Sequence, residues 1–540
     1  MKSSNNSLVF LLLLFISTSS FATEYYVNSK NGSDKNNGKS NENSWKSLSK
    51  VSKANLKPGD VILLANGQEF KGTIELTNTS GSKSKPIVIT GYSIGNNKTL
   101  PIINAKNYLN GIKLTDCSHI KINGLTIIAD GGKKPKKGMR CGIFYTSNNV
   151  GNYSDITIEN CTIKNVFFEN PDFKRGKDEV KSANGTQSYG WGIRFLLKGK
   201  KSNLKDVTVQ NCTVSNVSHT GIKINGQIQN LKVLENNVLK VGGPGMQFSG
   251  ITNGLVQGNN VNYSGSNDDS RKWGRGSGMW TWGLDTMLIE YNEFRNANGP
   301  ADSAGCHIDF NCKNVIVQYN ISENNAGGFA EILGNNWNCA YRYNVSINDG
   351  HRVKKKGVAF QEGKIFWLSG FVGKDRERHG PYNSYFYNNT IYVKSVLQAK
   401  MAVAKVASGT FIANNIFYIE GTSKAVLGDQ YQPQEEGEAT IENVIFKNNL
   451  FLKADNWPKG VLIQDESPVI GDPKFANAGG KEIKDYIPNN IGVVKNKGIN
   501  IRKIPGDKKG LFIGVKVEKD ILGNKIIGLP DMGAIEISKN

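Results

Sequence analysis

An asparagine flanked by two short apolar alternations recurs along this chain, as in ITIENCTI around Asn160 and VIVQYNIS around Asn320. The closest two copies, at Asn236 and Asn259, lie 23 residues apart, and the longer gaps leave room for inserted loops. Strands at such a period indicate stacked coils, each of which buries its apolar side chains against its neighbours. The recurring asparagines are Asn123, Asn160, Asn211, Asn236, Asn259, Asn292, Asn320, Asn344, Asn388, Asn414 and Asn448.

Asparagine suits the corners of such coils, because it tolerates the left-handed backbone conformation and its amide can hydrogen-bond the asparagine stacked above it. A β-sandwich with as many strands would need tight hairpin turns between the runs, and few are placed correctly. The repeat therefore predicts an all-β chain, a single-stranded right-handed parallel β-helix of about eleven or more coils with an N-terminal cap and inserted loops.

A second strand in each coil begins at a glycine, as in GIKIN from Gly221 and GCHID from Gly305. Because side chains alternate along a strand, the second and fourth residues after each glycine are expected to point outward. The first outward column contains Lys113, Phe144, Arg194, Lys223, Gln247, Trp280, His307 and Phe329. The second contains Thr115, Thr146, Leu196, Asn225, Ser249, Trp282, Asp309 and Glu331. The predicted face thus changes from basic through aromatic to acidic.

The two ends of the chain suggest its domain organisation and its destination. A leucine-rich run followed by Ser20-Phe21-Ala22 predicts a signal peptide at 1–22, and hence a secreted or periplasmic protein. We expect an N-terminal cap and first coils at 23–108, the main β-helix with the catalytic face at 109–455, and C-terminal coils with a closing segment at 456–540. No later apolar stretch is long enough to span a membrane. The seven scattered cysteines predict buried thiols rather than a disulfide scaffold.

Several segments resemble known β-helical enzymes. The opening YYVNSKNGSDKNNGKS and the closing GDPKF (471–475) and PDMGAIE (530–536) are similar to segments of right-handed parallel β-helix polysaccharide-degrading enzymes, the pectate-lyase-like superfamily. DSAGCHIDFNCKNVIVQYN (302–320) and the block at 327–352 resemble β-helical endo-fucanase-type glycoside hydrolases. This resemblance implies an endo-acting hydrolase of a sulfated, fucan-like polysaccharide.

The charge of the chain points to the same class of substrate. The formal net charge is +21, with basic runs at 133–137, 198–201 and 352–356, and such a field concentrates polyanions. Export and the lack of a nucleic-acid-binding module argue against nucleic acid as the partner. We therefore expect a monomer that acts on an anionic polysaccharide.

Paired carboxylates are the candidate catalytic groups. Asp309 and Glu331 are predicted to stack on neighbouring strands, where one carboxyl could be protonated and the other ionised, as glycoside hydrolysis requires. His307 could relay or tune the proton of Asp309, and Trp280 and Trp282 would form a platform for sugar rings. Loop carboxylates could supply a wider pair instead, namely Asp268, Asp269, Asp285 and Asp302.

Two other functions remain open. A polysaccharide lyase acting by β-elimination on a uronic-acid-containing chain could use Arg194 with Lys223, or His307 with Arg352. The same basic residues, with Gln247, would otherwise bind substrate. A third possibility is a non-catalytic glycan-binding β-helix. No cofactor is expected, and the pair Asp268-Asp269 gives only a weak indication of calcium.

Overall fold

The computed structural model describes residues 22–130, 139–167, 190–198, 201–265, 275–357, 359–373, 375–426 and 441–537. Positions 1–21 of the predicted signal peptide, the basic run at 133–137, part of that at 198–201, and Asp268-Asp269 lie outside the described residues. Within these ranges, no helix has the length and apolar character needed to cross a bilayer.

The described strands form two parallel sheets of 24 and 14 strands; we divide the larger into sheets A and B and call the smaller sheet C. From Ile74 to Phe451, each coil passes through sheets A, B and C in that order. Sheet A contains the strands predicted to begin at glycine, sheet B those before the asparagine, and sheet C those after it. Two long strands, Ile222–Leu234 and Met246–Gln257, turn the corner and belong to both sheets A and B. The predicted single-stranded parallel β-helix is confirmed.

Sheet A also contains Ile74–Thr77, Asn110–Thr115, Arg140–Ser147, Gly190–Leu197, Met279–Trp282, Cys306–Ile308, Gly328–Ile332, Lys364–Leu368, Gln398–Val403 and Thr422–Ala425. Sheet B also contains Glu24–Val27, Val61–Ala65, Ile87–Tyr92, Ile120–Asn123, Asn152–Glu159, Asn203–Gln210, Asp285–Glu290, Lys313–Gln318, Ala340–Arg342, Tyr382–Tyr387, Ser408–Ala413 and Val444–Phe446. Sheet C contains Glu69–Lys71, Ile102–Asn104, Thr126–Ala129, Thr162–Val166, Thr213–Val217, Asn237–Val241, Asn260–Ser264, Glu293–Arg295, Ile321–Glu323, Val345–Ile347, Thr390–Val393, Ile416–Ile419, Leu450–Phe451 and Val469–Ile470.

The interior of the coils is a stack of aliphatic side chains in register. Ile112, Ile143 and Ile193 pair on successive strands of sheet A, and each is at most 1 % exposed. Each such burial stabilises the fold by about 1.5–3 kcal/mol relative to an exposed side chain. The glycines at the strand starts allow the sheets to approach: a Cβ atom on Gly142 would lie 2.4 Å from Cγ2 of Ile163 in sheet C. All seven cysteines are buried and unpaired, as predicted.

The corner between sheets B and C carries an asparagine ladder, which we define as Asn236, Asn259, Asn292, Asn320, Asn344, Asn389, Asn415 and Asn449. The Oδ1 atom of Asn259 accepts hydrogen bonds from the backbone nitrogen and the Nδ2 atom of Asn236, both at 2.9 Å. Nδ2 of Asn259 in turn donates to the Val233 carbonyl at 2.8 Å. The ladder thereby satisfies corner backbone groups that would otherwise be buried without a partner.

The two properties expected of a recurring asparagine occur together in Asn414 and Asn448, which are left-handed and donate to Asn388 and Asn414 at 3.2 and 3.1 Å. At the ladder corners they are divided between two residues. The residue in the left-handed conformation comes directly before the ladder asparagine, as with Tyr319 (φ 56°) before Asn320. At 388, 414 and 448 the recurring asparagine is the left-handed residue and the next asparagine forms the ladder. Asn160 and Asn211 are also left-handed, with Cys161 and Cys212 in the following position.

The two ends of the β-helix are covered by different structures. Near the N-terminus, the ring of Trp45 stacks on Tyr25 at 4.7 Å, and a short α-helix (Leu48–Ser52) is capped by the Ser47 side chain. Residues 471–537, the C-terminal strap, include a 3-10 helix (Ile483–Tyr486) and an α-helix (Ile491–Val494) and run back along sheet B.

The strap is tied to sheet B by hydrogen bonds and by apolar contacts. Asn338 donates to the Asp507 carboxylate at 2.7 Å, and Arg342 donates to the Gly514 carbonyl at 2.8 Å. A second apolar cluster fills the space between strap and sheet; its members include Ile316, Ala340, Tyr385, Phe411, Leu511, Ile521 and Met532. The strap therefore covers the outer side of sheet B over these coils.

Candidate active site

The order of the first outward column on sheet A is confirmed by the strand register. Each residue pairs directly with the next on the neighbouring strand. The column contains Lys113, Phe144, Arg194, Lys223, Gln247, Trp280 and His307. Neighbouring strands are about 4.8 Å apart, so the column forms a continuous line of side chains.

The last member of the column was predicted incorrectly. Ala304 pairs with Gly328 and Ile308 with Ile332, so this coil is 24 residues long, whereas counting from Gly305 to Gly327 gives 22. Glu331 therefore lies in register with His307 and not with Asp309. Phe329 instead is buried in the core. A shift of two residues keeps a side chain on the same side of the strand, so Glu331 still belongs to the outward face.

Asp309 is a buried carboxyl with few hydrogen-bond donors. Trp280 donates from Nε1 to its Oδ2 at 2.6 Å, and the backbone nitrogen of Phe310 donates to Oδ1 at 2.8 Å. The residue is 5 % exposed. Burial raises the pKa of Asp309 to about 7, despite the two hydrogen bonds. A carboxyl with this pKa can hold a proton at neutral pH and release it to a substrate.

Asp302 supplies a second buried carboxyl beside the first. Its Oδ2 lies 3.3 Å from Nε of Arg275, and its side chain is 7 % exposed. The guanidinium of Arg275 also lies 5.7 Å from the centroid of the Trp280 ring. After burial itself, the charge of Asp302 is the largest cause that raises the pKa of Glu331, and it also raises that of Asp309. Asp302, one of the alternative loop carboxylates, is thus brought to the site.

His307 and Glu331 form a buried pair next to these acids. Nε2 of His307 lies 3.4 Å from Oε1 of Glu331, and their side chains are 2 % and 5 % exposed. Burial lowers the pKa of His307 to about 4 and raises that of Glu331 well above its ordinary value. At neutral pH, the imidazole of His307 is therefore uncharged, and burial favours the protonated form of the Glu331 carboxyl.

The two tryptophans differ in exposure. Trp280 is half-buried and holds Asp309, whereas Trp282 is 43 % exposed and contacts Phe310 edge to face at a centroid distance of 5.9 Å. Trp282 is therefore the better candidate for a sugar platform. Gln247 lies between Lys223 and Trp280, and its Oε1 has no hydrogen-bond partner among the described residues.

Arg352 supports the Asp302 loop. Its guanidinium donates to the carbonyl oxygens of Gln361 (2.7 Å), Gly299 (2.9 Å) and Asp302 (3.0 Å). Gln361 also accepts from the Asp302 backbone nitrogen through its side chain. These contacts identify Arg352 and Gln361 as positioning residues. The predicted binding of substrate by Arg352 stays a prediction.

Two further sequence-based candidates lie elsewhere. Asp285 is on sheet B, where it accepts a hydrogen bond from Asn314 at 2.9 Å, so it is not brought to the site. Asp268 and Asp269 lie outside the described residues. Among the residues that the structure describes, no group of three or more His, Cys, Asp and Glu side chains could hold a metal ion. Arg275 and Gln361 were missed, since loop residues outside a repeat give no positional signal.

Comparison with known proteins gives relatives that share the fold. A sequence family described as a right-handed β-helix region matches residues 191–365, which include the outward column from Arg194 to Glu331. A lacto-N-biosidase of Bifidobacterium longum subsp. longum is 25 % identical over 96 % of this chain and 36 % of its own length. The chain thus spans about a third of that relative.

Solved structures with the same fold are similar to this chain. A GH136 lacto-N-biosidase from Eubacterium ramulus, in its native form, matches with a TM-score of 0.50 and 19 % identity over 83 % of this chain and 68 % of that one. Its selenomethionine derivative matches with a TM-score of 0.50 and 20 % identity over 75 % and 67 % of the two chains. The resemblance to right-handed β-helix proteins, and the right-handed fold itself, are confirmed.

Proposed function

We propose that this chain is a glycoside hydrolase whose reaction takes place on sheet A, with Asp309 as the general acid and Asp302 as the second carboxylate. The observation that carries the proposal is the contrast between these neighbouring acids. Asp309 is buried with a pKa of about 7, whereas Asp302 has the guanidinium of Arg275 beside it. Acid and base roles follow when two neighbouring groups are held in different protonation states.

The geometry supports a role for each group. Protonated Asp309 would transfer its proton to the glycosidic oxygen of the leaving group, while Trp280 holds the carboxyl in place through Oδ2. The negative charge of Asp302, balanced by Arg275, would face the positive charge that develops on the sugar ring. The proton lost by Asp309 is regained from the water that completes hydrolysis.

Two routes differ in what Asp302 does. In a retaining route it bonds to the anomeric carbon and forms a glycosyl ester, which water then cleaves. In an inverting route it takes a proton from the attacking water, and proton exchange with solvent then restores protonated Asp309 and ionised Asp302. Proton NMR of the first product formed distinguishes them by its anomeric configuration.

The relatives support the reaction class. Two of the proteins that share this fold are named lacto-N-biosidases, a glycosidase name. The expected leader peptide at 1–22 supports export, where an extracellular glycan would be met. We propose accordingly a secreted or periplasmic enzyme.

A panel of substrates tests the proposal. It should contain an aryl lacto-N-bioside, a sulfated fucan and a uronic-acid polysaccharide, incubated with the wild-type chain and with Asp302→Asn and Asp309→Asn variants. We expect new reducing ends without the ultraviolet absorbance of an unsaturated sugar, and loss of this activity in both variants. Wild-type rates in both variants would contradict the assignment of the two acids.

Polysaccharide lyase activity is the second candidate, because one observation favours it. Burial and, to a smaller extent, the charge of Arg194 lower the pKa of Lys223 to about 8, and an amine with a lowered pKa can act as a base. In that case the same panel would give an unsaturated, ultraviolet-absorbing product from the uronic-acid chain, and Lys223→Gln would abolish it.

A further inference from the structure

Two cations lie side by side on sheet A, away from the acids. Arg194 and Lys223 pair in register on neighbouring strands. The guanidinium carbon of Arg194 lies 3.9 Å from the centroid of the Trp191 ring, and Nζ of Lys223 lies 6.0 Å from it. Arg194 also lies 5.7 Å from the ring of Phe144. Aromatic rings thus hold the two charged groups in place on a half-buried surface.

These cations have no carboxylate partner among the described residues. Neither Arg194 nor Lys223 forms an ion pair with an Asp or Glu there, whereas Lys121 and Lys400 each do, at 2.7 and 2.9 Å. Like charges at adjacent strand positions repel, and no carboxylate in the part of the chain that the structure describes pairs with either cation. An anion bound from outside would remove this cost.

The position of the pair relates it to the acids. Lys223, Gln247 and Trp280 follow one another in the same column, so Lys223 lies two strands from Trp280, which holds Asp309. Two strand spacings amount to about 10 Å. A short stretch of a glycan chain can cover this distance along the line of the column.

We propose that Arg194 and Lys223 bind an anionic substituent of the glycan, a sulfate half-ester or a carboxylate, at a subsite three to four strands from the strand that precedes Asp309. This inference rests on the proposed function, since it assigns the substrate class of the same face. Arg194 presents a planar fork of donors and Lys223 a compact charge, and the two together suit a doubly contacted oxyanion. The unpartnered Oε1 of Gln247 could accept from a neighbouring sugar hydroxyl.

Calorimetric binding tests the subsite without requiring turnover. The probes are a sulfated fucan, the same fucan after chemical desulfation, and an unsulfated polygalacturonate. The variants are Lys223→Gln, Arg194→Lys, which keeps the charge, and Lys232→Gln, an exposed lysine on sheet B that serves as the control. Circular dichroism verifies that each variant is folded.

We expect Lys223→Gln to weaken binding of an anionic probe about 10- to 100-fold, the loss of one or two charge-assisted hydrogen bonds. Lys232→Gln should leave it unchanged, and Arg194→Lys should retain part of it. The fucan and polygalacturonate arms show whether the anion is sulfate or carboxylate. Equal effects of Lys223→Gln and Lys232→Gln, equal binding of the desulfated fucan, or no binding of either polyanion would each overturn the subsite.

The outcome for the subsite is separable from that for the hydrolase. Binding that depends on Lys223 without release of reducing ends would uphold the subsite and contradict the hydrolase. Cleavage of the neutral lacto-N-bioside with no anion binding would do the reverse. If Lys223→Gln abolishes formation of an unsaturated product while anion binding persists, Lys223 is a base and the subsite is overturned.

Discussion

The asparagine ladder and the outward face of sheet A are built from polar side chains in parallel columns, yet they differ in how those side chains are satisfied. In the ladder, the Asn415 amide donates to the Phe386 carbonyl at 2.9 Å and to Asn449 at 2.8 Å, and its Oδ1 accepts from the backbone and side-chain nitrogens of Asn389. On sheet A, His307 is buried with neither ring nitrogen in a good hydrogen bond to a described residue, and Asp309 has a raised pKa.

This difference indicates that one polar column stabilises the fold and that the other is available to a substrate. Every polar group of the ladder has a partner within the coil stack, so the ladder stabilises the fold and fixes the register. The column on sheet A instead holds Arg194 and Lys223 without a carboxylate partner among the described residues, and burial raises the pKa of Asp309 beside it. Such an arrangement costs stability and is expected where a substrate completes the contacts. Substitutions in the two columns should therefore have opposite signatures.

The largest effect is expected for Asp309→Asn. Removal of the proton donor should lower kcat by about 10²- to 10⁴-fold, the usual contribution of general acid catalysis. Initial rates on the best substrate of the panel measure this. At pH 4, where the wild-type carboxyl is protonated, thermal unfolding should change little, because an amide can accept from Trp280 as the carboxyl does.

Asp116→Asn is the matched control for that variant. Asp116 ends a strand of the same sheet, but it accepts from the backbone of Asn148 at 2.8 Å and from the Tyr153 hydroxyl at 2.7 Å, and these bonds outweigh burial and lower its pKa. Here we expect lower stability and an unchanged kcat. A fall in kcat for both variants alike would remove the distinction between structural and catalytic acids.

The ladder should show the opposite signature in Asn415→Ala. The truncation leaves several buried backbone and side-chain groups without partners, and we expect the free energy of unfolding to fall by about 2–4 kcal/mol. Denaturant titration measures this change. The kcat of the folded enzyme should be unaffected, because Asn415 lies on a corner away from sheet A.

Asn230→Gly provides the comparison at an exposed site. Asn230 is stacked as Asn415 is, donating to Asp206 at 2.8 Å, but it is left-handed and lies in solvent on sheet B. Its loss should cost less than about 1 kcal/mol, since water replaces the hydrogen bonds and glycine tolerates the backbone conformation. Equal losses for Asn230→Gly and Asn415→Ala would contradict the importance of burial for the ladder.

Asp309 also predicts how stability depends on pH. The pKa of this carboxyl is about 7 in the folded chain, against an ordinary value of 3.8, so the folded state binds more protons between these limits. The contribution of Asp309 to the free energy of unfolding is therefore fully present below about pH 4 and is lost as the pH rises through 7. The loss is at most about 1.4 kcal/mol for each unit by which the pKa is raised. Denaturant titrations of wild type and Asp309→Asn from pH 4 to 8 measure it.

The difference between the two pH curves isolates Asp309 from the other acids. We expect the Asp309→Asn variant to gain stability relative to wild type as the pH rises. Parallel curves would show that the pKa of Asp309 in the folded chain is close to its ordinary value, and would contradict the prediction.

The smallest effect is expected for Trp282→Ala. The side chain is exposed and holds none of the acids, so its loss should raise KM a few-fold through lost stacking with a sugar ring and leave kcat nearly unchanged. Steady-state kinetics separate the two constants. A fall in kcat with constant KM would assign Trp282 to the chemical step instead.

The fold could be predicted from the sequence because it is encoded locally and repeatedly. Short alternations such as IKIN from Ile120 and VTVQ from Val207 specify which side chains face inward, and the asparagines mark the corners. The sheet A column could be predicted for the same reason as far as His307. Beyond His307 the predicted register was wrong, because the position of each outward residue was counted from Gly327. The strand begins one residue later, at Gly328.

The rest of the site depends on contacts between distant parts of the chain. Asp302 lies in a loop that is held by Arg352, 50 residues later, and its backbone nitrogen contacts Gln361, 59 residues later. No periodicity relates these positions. The raised pKa values of Asp309 and Glu331 likewise follow from burial and from the charge of Asp302, which only the folded coils bring together.

The C-terminal strap has a consequence for the order of events in biosynthesis. Coils can stack one upon another as they leave the ribosome, because each contacts mainly its neighbours. The strap is translated after the coils it contacts, where the Tyr319 hydroxyl donates to Lys519 and Asn414 to Ile499. Until it docks, the apolar side of sheet B is exposed and open to chaperones and proteases. The strap thus acts as a latch that closes once the coils beneath it are complete, and its release would be an early step in unfolding from that side.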